Sequence, residues 1–562
     1  MKKILLPILF LALLTAGCTG KTAREPTSQE VNNPLTYTDI PDNDVIRVGD
    51  TYYMVSTTMY FCPGAPIMES KDLVHWRIVN YIYDALADDD TYNLRGGRNA
   101  YGRGQWATTL REHDGVFYAL FMAGDQHRTF VYTTTDIRKG NWKRHAVYDR
   151  AFHDAGLLFD DGRAYIVWGN GELRITELEP DLSAIREGGV DQVLINIPRR
   201  GGLGAEGTHM YHIGDWYYAL VIDWPAGKPR TAGCWRSRTL LGEYEGRDVL
   251  QGTIGGRSDG VAQGAIVDTP EGDWYAILFQ DHGAVGRIPT LQPVQWVEGW
   301  PMIGDGGTPL ESFILPIRED KGGDYVWASD AFNPTPANKT ATPQPFLTAK
   351  PQKGKGAAGA FLSPVWQWNH RPVEGAWSLT ERKGWLRLHT ATVTDDLTRA
   401  RGTLTQRTVG PRSISEVHID ASGMQPGDRA GLCAFQSHYA TAGVEVDSVG
   451  NRMAVIDIRR PASRFAPEEV RRVLSIPMPG HDLYARIRYV FTPNSETDVS
   501  EEADRAYLAV SFDGRQWTQA PYSLHMRYTL DFFTGYRSAL YSYSTIATGG
   551  YADFNYFHQW IY

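Results

Sequence analysis

Cysteine is scarce in this 562-residue chain, with four in all. Cys62, Cys234 and Cys433 lie far apart, and no cysteine stands at a metal-ligand spacing. That pattern argues against a disulfide framework and for three small buried hydrophobes. Basic runs are lacking too. The formal net charge is -9, and no lysine- or arginine-rich stripe stands out to neutralise phosphates. A nucleic-acid partner is not expected, and a neutral or mildly charged ligand fits better. The N-terminal apolar run, Ile4 to Leu14, is too short to span a bilayer comfortably.

That run follows Lys2 and Lys3 and leads through Thr15-Ala16-Gly17 into Cys18. The order resembles a bacterial lipoprotein signal, with residues 1–17 removed and Cys18 lipidated; an ordinary cleaved signal is the alternative. Residues 18–32 then form a polar tether, and the protein is expected at the bacterial cell envelope, periplasmic or on the surface, held to the membrane by its lipid.

Aromatics and turn formers are abundant: 17 Trp, 30 Tyr, 57 Gly and 31 Pro. They favour many short strands over long helices. A Gly/Asp turn followed by aromatics recurs as Gly49-Asp50-Thr51-Tyr52-Tyr53, Asp114-Gly115-Val116-Phe117-Tyr118 and Asp161-Gly162-Arg163-Ala164-Tyr165. It returns as Gly214-Asp215-Trp216-Tyr217-Tyr218 and Glu271-Gly272-Asp273-Trp274-Tyr275. Each turn joins two apolar stretches of strand length, a hairpin signal. Five such units at roughly 50-residue spacing predict a five-bladed β-propeller over 33–317.

In a propeller the innermost strands converge on a central channel. Counting back 11 residues from the last aromatic of each repeat reaches Asp42, Ala107, Asp154, Gly207 and Gly264, with Trp106, Glu206 and Gln263 one residue earlier. Asp42, Asp154 and Glu206 therefore share a depth on three blades. Acids often begin strands and face water, but that does not explain a common register. Like charges raise one another's pKa, which catalysis can use to keep one carboxyl protonated beside an ionised one.

At these residues the sequence resembles glycoside hydrolase family 43, the arabinofuranosidase and β-xylosidase group. The resemblance is carried by Pro41-Asp42-Asn43-Asp44-Val45-Ile46, by Phe152-His153-Asp154 before Leu157-Leu158-Phe159-Asp160-Asp161-Gly162, and by Glu206-Gly207-Thr208-His209. It implies Asp42 as general base, Asp154 as pKa modulator and Glu206 as general acid of an inverting hydrolysis, with Arg287 contacting substrate. Asp44 is the rival base. Trp106 is a candidate sugar platform, Tyr60-Phe61 a candidate pocket wall and Gln263 a further substrate contact. His209 and His282 are expected as hydrogen-bonding residues. Ala262 stands where many relatives have a histidine tied to a metal or water, so a channel metal is doubtful and no cofactor is required.

After a linker at 318–327, residues 328–562 alternate polar and apolar in short runs and predict a β-sandwich. Trp366-Gln367-Trp368-Asn369-His370, Leu404-Thr405-Gln406-Arg407 and Gly549-Gly550-Tyr551-Ala552-Asp553-Phe554 resemble the concanavalin-like module of such enzymes. By that resemblance Phe532 and Phe533 reach the propeller's mouth or pack in the core, and Asp330 and Asp553 share a calcium ion. The expected substrate is an oligo- or polysaccharide from the plant cell wall, attacked at a terminal α-L-arabinofuranosyl residue. A β-xylosidase or other exo-glycosidase, or a non-catalytic glycan-binding lipoprotein, are the alternatives.

Overall fold

The computed structural model describes residues 28–320, 322, 326–333, 344–349, 360–461, 468–492 and 502–562. The expected signal peptide, Cys18 and most of the expected tether lie outside the described residues, as do parts of the expected linker. The tether's last residues differ from expectation: Gln29–Asn32 form a strand antiparallel to Ser312–Leu315. Helix is confined, among the described residues, to short 3₁₀ turns such as Gly283–Val285.

Five four-stranded antiparallel sheets span 44–83, 105–148, 156–196, 206–251 and 262–303, each from one continuous stretch of chain. The hairpin turns explain their beginnings. In the second and third blades both turn residues take positive φ, Asp114 (51°) with Gly115 (78°) and Asp161 (48°) with Gly162 (70°). That is the type I′ requirement, which Asp-Gly meets at little cost and whose twist matches the strands.

No strand is shared between the first and last blades, so side chains close the ring. Arg47 of the first blade donates to both carboxylate oxygens of Asp268 in the fifth, at 3.0 and 2.5 Å. Asn43 Nδ2 donates to Ile277 O at 3.0 Å in a buried position. Around the axis, Arg111 works as a pin: it donates to Asp44 Oδ2 (2.7 Å), Leu157 O (3.0 Å) and Met210 O (3.4 Å), joining the inner strands of four blades. The fifth joins through Ile266 N, which donates to Tyr211 Oη at 3.0 Å.

The C-terminal part is a two-sheet sandwich. One sheet runs, in spatial order, Glu468–Pro477, Arg452–Pro461, Tyr439–Val446, Asp428–Phe435, Arg537–Ser544, Thr403–Arg407 and Gln367–Asn369. Its last strand is Phe61–Cys62, lent by the propeller and paired with Trp368 and Asn369. The second sheet centres on Arg412–Asp420, which alternates half-buried and buried along its whole length. One apolar cluster contains Tyr53, Phe61, Tyr83 and Phe117 of the propeller together with Phe435, Tyr439 and Tyr541 of the sandwich. Burial of that size makes the two units a single packed body. Cys62, Cys234 and Cys433 are free and buried.

Candidate active site

The inner strands start with a backbone turn toward the axis. Asp42 (φ 50°), Asp154 (49°), Gly207 (66°) and Gln263 (60°) are all left-handed, one on each of four blades. Aspartate is among the few L-residues that tolerate this conformation, and the strain, about 1–2 kcal/mol per residue, is stored where side chains must be re-aimed. Bulges between Glu206 and His209 and between Ala262 and Gly264 act in the same way. At Gly207 a Cβ would meet Gln263 Cδ at 2.8 Å, so a side chain there would displace Gln263. As a result Asp42, Ala107, Asp154, Gly207 and Gln263, one from every blade, line one small chamber.

Each acid has a different environment. Asp42 is 8 % exposed and accepts a 2.7 Å hydrogen bond from Arg287 Nη1. Burial pushes its carboxyl above the ordinary range, and the Arg287 guanidinium opposes that by favouring the ionised form. Asp154 is pushed up to about 6, mainly by burial, with the nearby Glu206 and Asp42 charges adding to it and His153 opposing. Glu206 accepts from Asn170 Nδ2 at 2.5 Å, and His153 Nε2 lies 2.9 Å from the same oxygen, Oε2. One ligating atom each from His153, Asp154 and Glu206 falls within 4.8 Å of the others. Burial alone would lower the His153 pKa, but Asp154 and Glu206 outweigh it and hold the imidazole at about 9.

Residues 31–301 match the family described as glycosyl hydrolases family 43, and 358–559 match the β-xylosidase C-terminal concanavalin A-like domain. A solved bifunctional GH43-CE protein of Bacteroides eggerthii is 40% identical with a TM-score of 0.82. The chain belongs to glycoside hydrolase family 43. It covers 95% of its own length in that comparison and spans 64% of the bifunctional protein. A GH43 hydrolase engineered at its active site to display both endo-xylanase and exo-arabinofuranosidase activity is 29% identical, TM-score 0.80, over 95% of this chain and 100% of its own. A β-xylosidase of Formosa agariphila is 29% identical over 93% of this chain and 89% of its own. This protein is therefore a glycoside hydrolase of that family, with its propeller and sandwich in the expected order.

Within the family 43 enzyme the remaining candidates separate clearly. Asp44 is fully buried, held by Arg111 and Leu110 N (2.8 Å) with His209 Nδ1 at 3.2 Å. Burial would raise its pKa, but these partners hold it far below the carboxylate range, so it is a buried anchor below the chamber. His209 is thereby an anchor partner. His282 lies between Gln280 and Tyr37, and burial pushes it down to about 3. Trp106 is half-buried, edge-on to His153 at 6.0 Å.

Two expectations need correction. Phe61 is 0 % exposed, its ring 4.5 Å from Tyr60 and 4.3 Å from the Arg537 guanidinium, so it presents no face to a ligand. Its strand alternation was legible; that the sandwich would cover it was not. Asp330 and Asp553 do not form one cation site. Asp330 accepts from Trp366 Nε1 and Phe332 N, while both oxygens of Asp553 are taken by Arg387, with Arg382 at 3.0 Å. A carboxylate already neutralised by two guanidiniums attracts no calcium.

The aromatic pair 532–533 divides its roles. Phe532 stacks on Tyr101 at 3.8 Å inside the junction, whereas Phe533 lies over Arg287 with 4.9 Å from ring centre to Cζ and edge-on to Trp106. His153 and Asn170 were not singled out from sequence. The first had a signal, adjacency to Asp154 in the motif; the second, at the end of strand Arg163–Asn170, had none. Asp39 was also missed: its carboxylate accepts from Arg287 N and from Gly535 N of the sandwich, locking the arginine's backbone to both units.

Proposed function

We propose that this glycoside hydrolase inverts configuration and releases terminal α-L-arabinofuranosyl residues from plant cell-wall polysaccharide. The observation that carries the chemistry is the one-sided clamp on Glu206. Both nitrogen contacts fall on Oε2, which leaves Oε1 as the oxygen through which a proton passes to the departing glycosidic oxygen. Asp42, kept ionised by Arg287, takes a proton from water on the opposite face of the anomeric carbon, which needs roughly 6.5–9.5 Å between the two carboxyls. Asp154 and His153 set the charge around the acid, and Trp106 and Phe533 wall the sugar.

The sugar assignment is supported by Ser56-Thr57-Thr58-Met59 and Gly102-Arg103-Gly104-Gln105-Trp106-Ala107, which resemble the arabinofuranosidases, and by the exo-arabinofuranosidase activity named for the engineered relative. A β-xylosidase is the second reading, favoured by the Formosa agariphila relative. The motif around Cys18 supports a lipid-anchored enzyme at the cell envelope. The test compares kcat/KM on aryl α-L-arabinofuranoside and aryl β-D-xyloside, follows arabinose release from arabinan and arabinoxylan, and reads the first-formed anomer by NMR. Arabinose of inverted configuration is expected. Preference for the xyloside with no arabinose released overturns the sugar, and retained configuration overturns the roles of the carboxylates.

A further inference from the structure

A second, larger cavity, about 590 Å³, is built where the propeller loop 94–103 meets sandwich loops at 396–399 and 530–532. Its size falls in the range of small-ligand sites. Its charge is the reverse of the molecule's. The chain carries -9 overall, yet Arg98, Arg103, Arg399 and Arg459 line this cavity against Asp396 and Asp531. Asp396 is already used, accepting from Thr398 N and lying 3.7 Å from Arg459. Arg98, Arg103 and Arg399 form no ion pair or side-chain hydrogen bond among the described residues. All three are exposed, and uncommitted guanidiniums are the groups that recognise planar carboxylates through two parallel hydrogen bonds.

The walls are rigid. Tyr101 stacks on Phe532 (3.8 Å, 7°) and donates to Thr398 O at 2.5 Å, tying propeller to sandwich across the floor. Gly102 has φ 64°, and a Cβ there would meet the carbonyls of Asp531 and Leu530 at 2.8 Å, so the two loops touch backbone to backbone. The cavity and the active site also share chain on both sides. Phe532 lines the cavity while Phe533 covers Arg287, and Arg103 precedes Trp106 by three residues, at most about 10 Å of extended chain. The same two stretches of chain therefore carry Trp106 and Phe533 at the active site and Arg103 and Phe532 at the cavity.

We propose that this cavity binds a uronic acid unit of the polysaccharide, its carboxylate held by Arg98, Arg103 and Arg399, so that acidic glycans are the preferred substrates. The proposal rests on the glycosidase reading above but is tested without turnover. Full-length Glu206→Gln protein is titrated calorimetrically with a xylo-oligosaccharide bearing one glucuronosyl branch and with its neutral counterpart. The acidic probe is expected to bind about tenfold more tightly at low salt, as charge-assisted hydrogen bonds allow. The advantage disappears with Arg103→Gln and Arg399→Gln combined. Equal affinities, or an advantage that survives both substitutions, overturns the proposal. Should the double variant melt early, competition on the parent decides: free glucuronate displaces the acidic probe and free xylose does not. Displacement by inorganic sulfate as effective as by glucuronate overturns the uronate assignment. Aryl glycoside turnover by the unsubstituted enzyme is measured separately, so its absence strikes the function reading and leaves the binding result standing.

Discussion

Phe533, carried by the sandwich, lies over the guanidinium of Arg287, carried by the propeller, with 4.9 Å between ring centre and Cζ. Arg287 spends Nη1 on Asp42, while its buried Nε and Nη2 have no hydrogen-bond partner among the described residues. The half-buried ring meets that buried positive charge, a setting in which a cation–π contact is worth up to about 2 kcal/mol. The second domain is therefore part of the active-site wall.

Removing that ring tests the claim. Phe533→Ala is expected to lower kcat/KM on aryl glycosides by roughly 5- to 30-fold, the equivalent of about 1–2 kcal/mol, with little change in melting temperature. Phe61→Ala should behave oppositely, costing about 3–5 kcal/mol of stability as a buried cavity in the domain junction. Undiminished efficiency in the first, or unchanged melting in the second, refutes the assignment concerned.

Asp42 and Asp44, two residues apart, are expected to respond differently to Asn. Asp42→Asn depresses turnover of every substrate, whatever its leaving group, while on melting two effects oppose: relief of a buried charge stabilises, and loss of Arg287's anion destabilises. Asp44→Asn leaves Arg111 without its anion, and breaking such a buried pair costs about 3–5 kcal/mol. Asp44 has a folded pKa below its unfolded one, so its contribution is present above the unfolded value and lost as pH falls through the folded one. Thermal melts and kinetics on both variants check the pair, and a normal melt for Asp44→Asn counts against its anchoring role.

Glu206→Gln keeps the contacts of Oε2 in shape but removes the transferable proton. Turnover of natural glycosides, whose leaving groups need protonation, should fall by about 10²–10⁴-fold, and that of activated aryl glycosides by much less. Equal losses on both substrate types would remove Glu206 from the acid's role.

The charge cluster around His153 sets a pH dependence of stability. Facing the imidazole are Asp154, Glu206 and, farther off, Asp42. Its folded pKa is raised to about 9 from an ordinary value near 6.5, so its stabilising contribution is complete below about 6.5 and is lost as pH rises through 9. Asp154, raised to about 6, works against stability over a lower window: the folded carboxyl keeps its proton longer, so stability declines as pH rises from about 4 to 6. In His153→Gln the fall in melting temperature between pH 6.5 and 9 should be shallower than in the parent. Parallel falls in the two proteins, measured by calorimetry, would exclude the pairing.

The three acids were readable because a blade is a local object. Hairpin turns such as Asp114-Gly115 set the phase of each repeat, and with the phase known Asp42, Asp154 and Glu206 follow by counting along the chain. The same holds for the sandwich strands, whose alternation at Arg412–Asp420 is written in consecutive residues. What tertiary structure alone decided is which groups meet them. Arg287 reaches Asp42 across 245 residues, and Asp39 reaches Gly535 across 496. Phe61 has the sequence character of a pocket wall, yet a strand of the sandwich lies beside it and excludes any sugar. Period and turn chemistry act between neighbours in the chain. Burial, ion pairing and pKa depend on whatever surface packs against a side chain, and for Phe61, Asp553 and Arg287 that surface comes from distant chain.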